Sequence, residues 1–340
     1  MTSKASSRVR ASNMELLRIV SMLLVVLVHV DGASLGLPFI NGNLSDLTAR
    51  DSWRLAVESI SIIGVNCFTL ISGYFGIKLR WKGIASFLFQ CVFYSVLIAS
   101  FAPLLLGKAF SWTIWGESWL VLSHTDLWYV PAYFCLMLLS PFLNAGVDRL
   151  SFRQFTVILS AFIVFNLWSG WWWGAKFNPT GYTVIQLVMM YLTGRWITGA
   201  VDRWPLLCDR WISGIAYIFA TGMIFLSSLY LEPVKAYAYN APAVVLASVA
   251  FFMFFRSLKF SSPLVNGIAR SAFAVYLIHK APEIWGDFMR PEIINLWTSM
   301  SIPAFTVAAL LIPLLTYLIA IPLDTFRRYL WNRLYFDAST

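Results

Sequence analysis

Long apolar runs alternate with short polar connections along this chain. The first run, from Leu16 to Val30, reads LLRIVSMLLVVLVHV. A helix needs about 20 mostly apolar residues to cross a hydrocarbon core about 30 Å thick. Hydropathy marks ten segments near that length: 14–31, 55–76, 84–106, 126–145, 155–173, 181–198, 211–230, 241–258, 268–286 and 301–323. The pattern predicts an all-α integral membrane protein, a bundle of about ten transmembrane helices. The connections are too short for a separate domain, so one membrane domain over 1–340 with no fused soluble domain is expected. There is no convincing internal repeat and no low-complexity segment.

The cations predict an orientation. Lys4, Arg8 and Arg10, then Lys78, Arg80 and Lys82, Arg149 and Arg153, Arg203 and Arg210, Arg256, Lys259 and Arg270, and finally Arg327, Arg328 and Arg333 fall in alternate connections. The intervening loops, 32–54, 107–125, 174–180, 231–240 and 287–300, hold fewer cations and several acids. By the positive-inside rule both termini are expected in the cytoplasm. The basic N-terminus ahead of an apolar run imitates a secretory signal. That run, however, contains Arg18 and His29 and ends at Asp31-Gly32-Ala33, a poor cleavage site, so a retained first helix is expected.

Composition agrees. The chain is 59% hydrophobic and 12% charged, whereas soluble domains carry about 25% charged residues. A net charge of +9 could suggest nucleic acid, but the cations are scattered through short loops rather than gathered on a face, so no nucleic-acid partner is expected. The expected partner is the lipid bilayer, and sixteen Trp and fourteen Tyr suit its two interfacial belts. The four cysteines form no C-x-x-C pair or Cys/His cluster, which supports neither a disulfide framework nor a metal site. No P-loop, dinucleotide fingerprint, G-x-S-x-G or H-E-x-x-H occurs, which leaves nucleotide hydrolysis, serine-hydrolase and zincin chemistry without support.

The polar exceptions inside the spans carry the candidate chemistry, because ionisable groups at membrane depth are costly and usually face a cavity or a bundle interior. Arg18 and His29 are eleven residues apart, so on a helix they lie within about 20° of each other and about 16 Å apart along the axis. Glu15 falls on the same stripe, three residues before Arg18. Glu15 and Arg18 also suit a simple ion pair snorkelling to the inner headgroups. His29 suits either an interfacial hydrogen bond or a general base. Asp31 could orient it only if the helix ends there, since residues two apart do not share a helix face. In the second span, Gly64, Ser72 and Gly73 permit close approach of a helix or a ligand, and Asn66 is the group expected to bond across the bundle. His124, near Asp126 at the entrance of the fourth span, suits binding a sugar hydroxyl, helping to position a second base, or a solvated loop. His279 and Lys280, in the ninth span, point about 100° apart and should do separate jobs; a histidine bridging two helices is an equal reading.

Several phrases, taken in order, resemble acyltransferase family 3, bacterial integral-membrane acyltransferases of cell-surface glycans. They are Glu15-Leu-Leu-Arg18 followed by ten residues and His29, then Gly64-Val65, Phe68 and Ser72-Gly73-Tyr74. Leu127-Trp128-Tyr129 with Pro141 and Tyr276-Leu277-Ile278-His279 complete the set. The resemblance covers nearly the whole chain. It implies transfer of an acyl group, typically acetyl but with succinyl open, from cytoplasmic acyl-CoA to a hydroxyl presented outside, in a bacterial cytoplasmic (inner) membrane. It makes Arg18 and His29 the essential pair, with Glu15 beside them. Acetyl-CoA is then a co-substrate, no cofactor is bound permanently, and the partners are acyl-CoA and a glycan or lipid-linked glycan, with a homo-oligomer left open. Many relatives carry Arg-x-x-Arg in an inner loop. Here Lys78, Arg80 and Lys82 occupy that loop and, with Arg18, are the expected contacts of the CoA phosphates. Many relatives also carry a fused extracytoplasmic hydrolase-like domain, which is not expected here. Asn66, Ser72 and Tyr74 are the oxyanion candidates, and His124, Trp128 and His279 are further candidates for the acceptor. His29 would act as general base or be acylated itself. A polytopic transporter or flippase for a glycan or small anion is the alternative, against which stands the lack of paired repeats and matched broken helices. A structural subunit of a polysaccharide-synthesis complex is a further one.

Overall fold

Residues 11–123 and 127–337 are described by a computed structural model, which contains no strand among those residues. The elements, in order, are α1 (Ser12–Val28), α2 (Ala49–Ser61), α3 (Gly64–Phe75), α4 (Trp81–Leu105), α5 (Trp112–Glu117), α6 (Tyr129–Arg149), α7 (Phe152–Phe165) and α8 (Val184–Arg203). They continue with α9 (Arg210–Ser228), α10 (Pro233–Ala236), α11 (Pro242–Ser257), α12 (Pro263–Ile268), α13 (Ala272–His279), α14 (Pro282–Ile284), α15 (Arg290–Ser299) and α16 (Ile302–Asp337). Polar caps start several of them. Thr48 and Asp51 form a reciprocal capping box on α2, Ser151 and Gln154 another on α7, and Asp209 accepts from the backbone of Trp211 and Ile212 at α9.

Eight helical segments are long and apolar enough to cross a membrane. They correspond to the first seven expected spans and the last. The remaining two differ. Pro242–Ser257 is a 16-residue helix, about 24 Å long at the usual rise and so shorter than a hydrocarbon core. The expected span 268–286 is not one helix: a 3-10 turn over Ala269–Ser271 leads into α13, which stops at His279. Pro282 is the physical cause. It cannot donate to the helix, and it holds Ala281 in an extended conformation (ψ 134°).

Large side chains such as Leu104, Leu105, Phe142 and Ile218 lie on the outside, as a bilayer-facing surface requires. Inside, the helices approach through glycines. A Cβ on Gly73 would lie 2.0 Å from the Tyr191 carbonyl oxygen of α8, and one on Gly194 would lie 2.4 Å from that of Leu70 on α3. Gly64 sits equally tightly on α1, 2.7 Å from the Ser21 carbonyl by the same measure. These are small-residue helix contacts of the membrane type. Gly73→Ala must part α3 from α8, and overpacking of this kind costs about 1–3 kcal/mol. The expected result is a lower thermal midpoint of the detergent-purified protein; an unchanged midpoint would show that the contact yields freely.

Candidate active site

Two cavities lie end to end inside the bundle. The first, about 510 Å³, has His29, Glu58, Trp128, Tyr237, Tyr239 and Lys280 among its wall residues. The second, about 530 Å³, has Arg18, Ser72, Tyr133, Arg270 and Arg328. Both are of ligand-binding size. Phe68, Tyr129 and Phe273 line both, so the two spaces meet at an aromatic waist. The stripe on α1 runs past that waist, with Arg18 at one end and His29 at the other.

His29 sits where α1 widens into a π turn, His29–Ala33, a feature frequent at functional sites. The Ser34 hydroxyl donates to the His29 carbonyl at 2.8 Å and ties off that turn. The His29 ring is held by another histidine: its Nδ1 is 2.9 Å from Nε2 of the fully buried His279. His279 Nδ1 is in turn 2.6 Å from the Val275 carbonyl oxygen. A carbonyl can only accept, so His279 Nδ1 carries a proton, and in the neutral ring its Nε2 carries a lone pair. His29 Nδ1–H then donates to that lone pair, which leaves His29 Nε2 unprotonated. Hydrogen-bond logic assigns this tautomer. The early stop of α13 matters here, because it leaves His279 on the last helical turn beside α1. Trp285 packs edge-on against His29 at 5.4 Å, and Lys280 lies over the same Trp285 ring at 4.6 Å, so His279 and Lys280 do separate jobs.

Asp31 does not orient His29. The widened turn carries it to Arg54, whose Nε is 3.2 Å from Asp31 Oδ1, and Arg54 lies over Trp297. Beside this pair is a group the sequence reading passed over. Glu58 of α2 is buried, lines the His29 cavity, and presses its carboxylate on Gly32: a Cβ there would meet both oxygens at 3.0 Å. The far wall is aromatic. Trp128 lies 4.9 Å from Tyr182 and 5.9 Å from Tyr239 between ring centroids. Burial pushes the Tyr237 and Tyr239 phenols above their ordinary range, so both remain protonated donors.

At the other end, Arg18 donates to Glu15 at 2.9 Å, which is the ion pair expected for residues three apart. Its companions in the cavity wall are Arg270 and Arg328. Arg328 is held by Asp324, a fully buried carboxylate. Asp324 Oδ2 accepts from Arg328 Nη1 at 2.6 Å and from the Ser271 hydroxyl at 3.1 Å. Its Oδ1 accepts from Arg327 Nε at 2.8 Å and from Gln90 and Tyr94 at 3.4 Å each. One carboxylate thus joins α4, the 3-10 turn that carries Arg270, and α16. Lys78, Arg80 and Lys82 are exposed and line neither cavity.

The other predicted residues divide. Ser72 lines the Arg18 cavity, 3.1 Å from the Tyr133 hydroxyl. Trp128 lines the His29 cavity. Asn66 lines neither: its amide donates to the Tyr239 carbonyl at 2.9 Å and accepts from Gln186 at 3.1 Å, which is the cross-bundle bond expected of it. Tyr74 is turned to Arg256, whose Nε donates to its hydroxyl at 3.1 Å. His124 lies outside the described residues. Glu58, Asp324, Arg270 and Arg328 are the additions. A usable signal existed for Glu58, a carboxylate inside an apolar span, where ionisable residues are functional candidates by default.

The acyltransferase domain model of acyltransferase family 3 matches residues 12–324. No curated protein and no solved structure matches the chain.

Proposed function

The chain belongs to acyltransferase family 3, and from that premise we propose an O-acyltransferase that passes an acetyl group from acetyl-CoA to a hydroxyl of an extracytoplasmic glycan or glycolipid, in the inner membrane of a bacterium with both termini cytoplasmic. The observation that carries this reading is the pair of cavities sharing one waist, cationic at one end and bearing an oriented histidine at the other. Arg18, Arg270 and Arg328 present the charge that CoA phosphates require. They replace the exposed loop cations as the donor site in this reading. The pantetheine arm then passes Phe68, Tyr129 and Phe273, a distance set by the roughly 16 Å between Arg18 and His29 along α1.

At His29 the acceptor hydroxyl loses its proton to Nε2 as its oxygen attacks the thioester carbonyl carbon. A C–O bond forms and the C–S bond breaks. The proton passes from Nε2 to the departing sulfur, so the products are an ester and the free thiol of CoA. His279 keeps Nε2 as the basic nitrogen by occupying Nδ1. A carrier for a glycan or small anion remains the rival reading.

Labelled acetyl-CoA supplied to the purified protein in lipid nanodiscs, with glycan isolated from a strain lacking the gene, decides between them. The expected result is covalent label in the glycan, with mass spectrometry locating the ester. Saturable uptake of glycan or donor into proteoliposomes without covalent transfer would overturn the reading.

A further inference from the structure

The cluster of Asp31, Arg54 and Glu58 contains two carboxylates and one guanidinium. Arg54 pairs with Asp31 at 3.2 Å, which leaves Glu58 as the excess carboxylate, and Glu58 is the one in the cavity wall. It is 3% exposed, and its Oε2 has no partner among the described residues. Buried polar atoms are almost always paired, so an orphaned carboxylate oxygen beside a cavity calls for a ligand or a water. A Cβ at Gly32 would stand 3.0 Å from both carboxylate oxygens, so the bare backbone of the π turn lets the carboxylate lie close against it.

The surroundings define what it takes. Across the cavity stand Trp128, Tyr182 and Tyr239, flat apolar rings suited to the C–H faces of a sugar, and Lys280 in the wall disfavours a cationic ligand. A carboxyl group hydrogen-bonds to hydroxyls in either state, as acceptor through both oxygens when ionised and as donor and acceptor when protonated. Position sets the register. Glu58 meets the backbone at Gly32, three residues beyond His29 in the same π turn, and both side chains line one cavity, so a single ring can reach both.

We infer that Glu58 is the acceptor-recognition residue: it holds a second hydroxyl of a neutral polyol ring while His29 deprotonates the first, and so selects which position is acylated. This rests on the acyltransferase reading above. The test uses the full chain in nanodiscs, labelled acetyl-CoA, and glycan from the strain lacking the gene. For Glu58→Gln the expected result is an acceptor KM raised at least tenfold, a donor KM within twofold of the unmodified protein, and ester spread over more than one ring position. Glu58→Asp, which keeps the carboxyl group but withdraws it by one methylene, should fall between and serves if the Gln variant does not fold. An unchanged acceptor KM with a single acylated position overturns the inference while leaving the acyltransferase intact. So does a loss confined to kcat. If the unmodified protein transfers no label, the acyltransferase reading itself fails and takes the inference with it.

Discussion

His29→Ala lowers kcat by roughly 10³- to 10⁴-fold, the upper part of the range a positioned general base supplies. The residue lines a cavity, and its loss removes the bond to His279, worth about 1–3 kcal/mol with the partner left buried, so the variant should still purify folded, with a lower thermal midpoint. Its donor KM should stay close to the original, because Arg18, Arg270 and Arg328 lie in the other cavity. His279→Ala provides the internal comparison. It leaves His29 in place but frees Nδ1, so the ring can turn or change tautomer and only a fraction of molecules present a basic Nε2. A loss of roughly 10²-fold is expected, smaller than at His29 yet still within the acid–base range. Steady-state transfer of labelled acetyl to glycan measures both. Activity above a tenth of the original in His29→Ala would remove the base from the mechanism. Equal losses at the two positions would show that His29 works as a base only while His279 holds it.

Asp324→Ala has the largest expected effect on stability. The carboxylate is fully buried and compensates Arg327, itself 5% exposed, and Arg328. Removing one partner of a buried ion pair costs about 3–5 kcal/mol, because the remaining charge is stranded. Here one deletion strands the buried Arg327 guanidinium, unties Arg328, and frees Ser271, Gln90 and Tyr94 at once. A sharp fall in thermal midpoint and in yield of monodisperse protein is expected from size exclusion after heating. Asp324→Asn keeps the shape and some of the hydrogen bonding, and should be the milder variant. In it the loosened Arg328 should raise the KM for acetyl-CoA while the glycan KM holds. A midpoint for Asp324→Ala indistinguishable from that of the unmodified protein would mean that the arginines find other partners.

Legibility from sequence followed the range of the physics involved. Seven of the first seven expected spans and the last appear as long apolar helices because a bilayer imposes length and hydropathy on each segment separately. The ninth failed as a single helix because its apolar composition hid the local effect of Pro282. Spacing along one helix likewise sufficed to put Arg18 and His29 on one stripe and to pair Glu15 with Arg18.

What no linear reading could supply is which stripe faces which. His29 and His279 are 250 positions apart, and the hydrogen bond between them, which chooses the basic nitrogen, exists only because α13 ends beside α1. The cations in the cavity are Arg270 and Arg328 rather than Lys78, Arg80 and Lys82 because Asp324 draws α16 and the turn at Ser271 together. Glu58 reaches the His29 cavity through the bare backbone at Gly32, a contact between two helices. Membrane insertion is decided residue by residue within a segment and can therefore be read from the chain. An active site is assembled from side chains of separate helices, and their pairing depends on packing across the bundle.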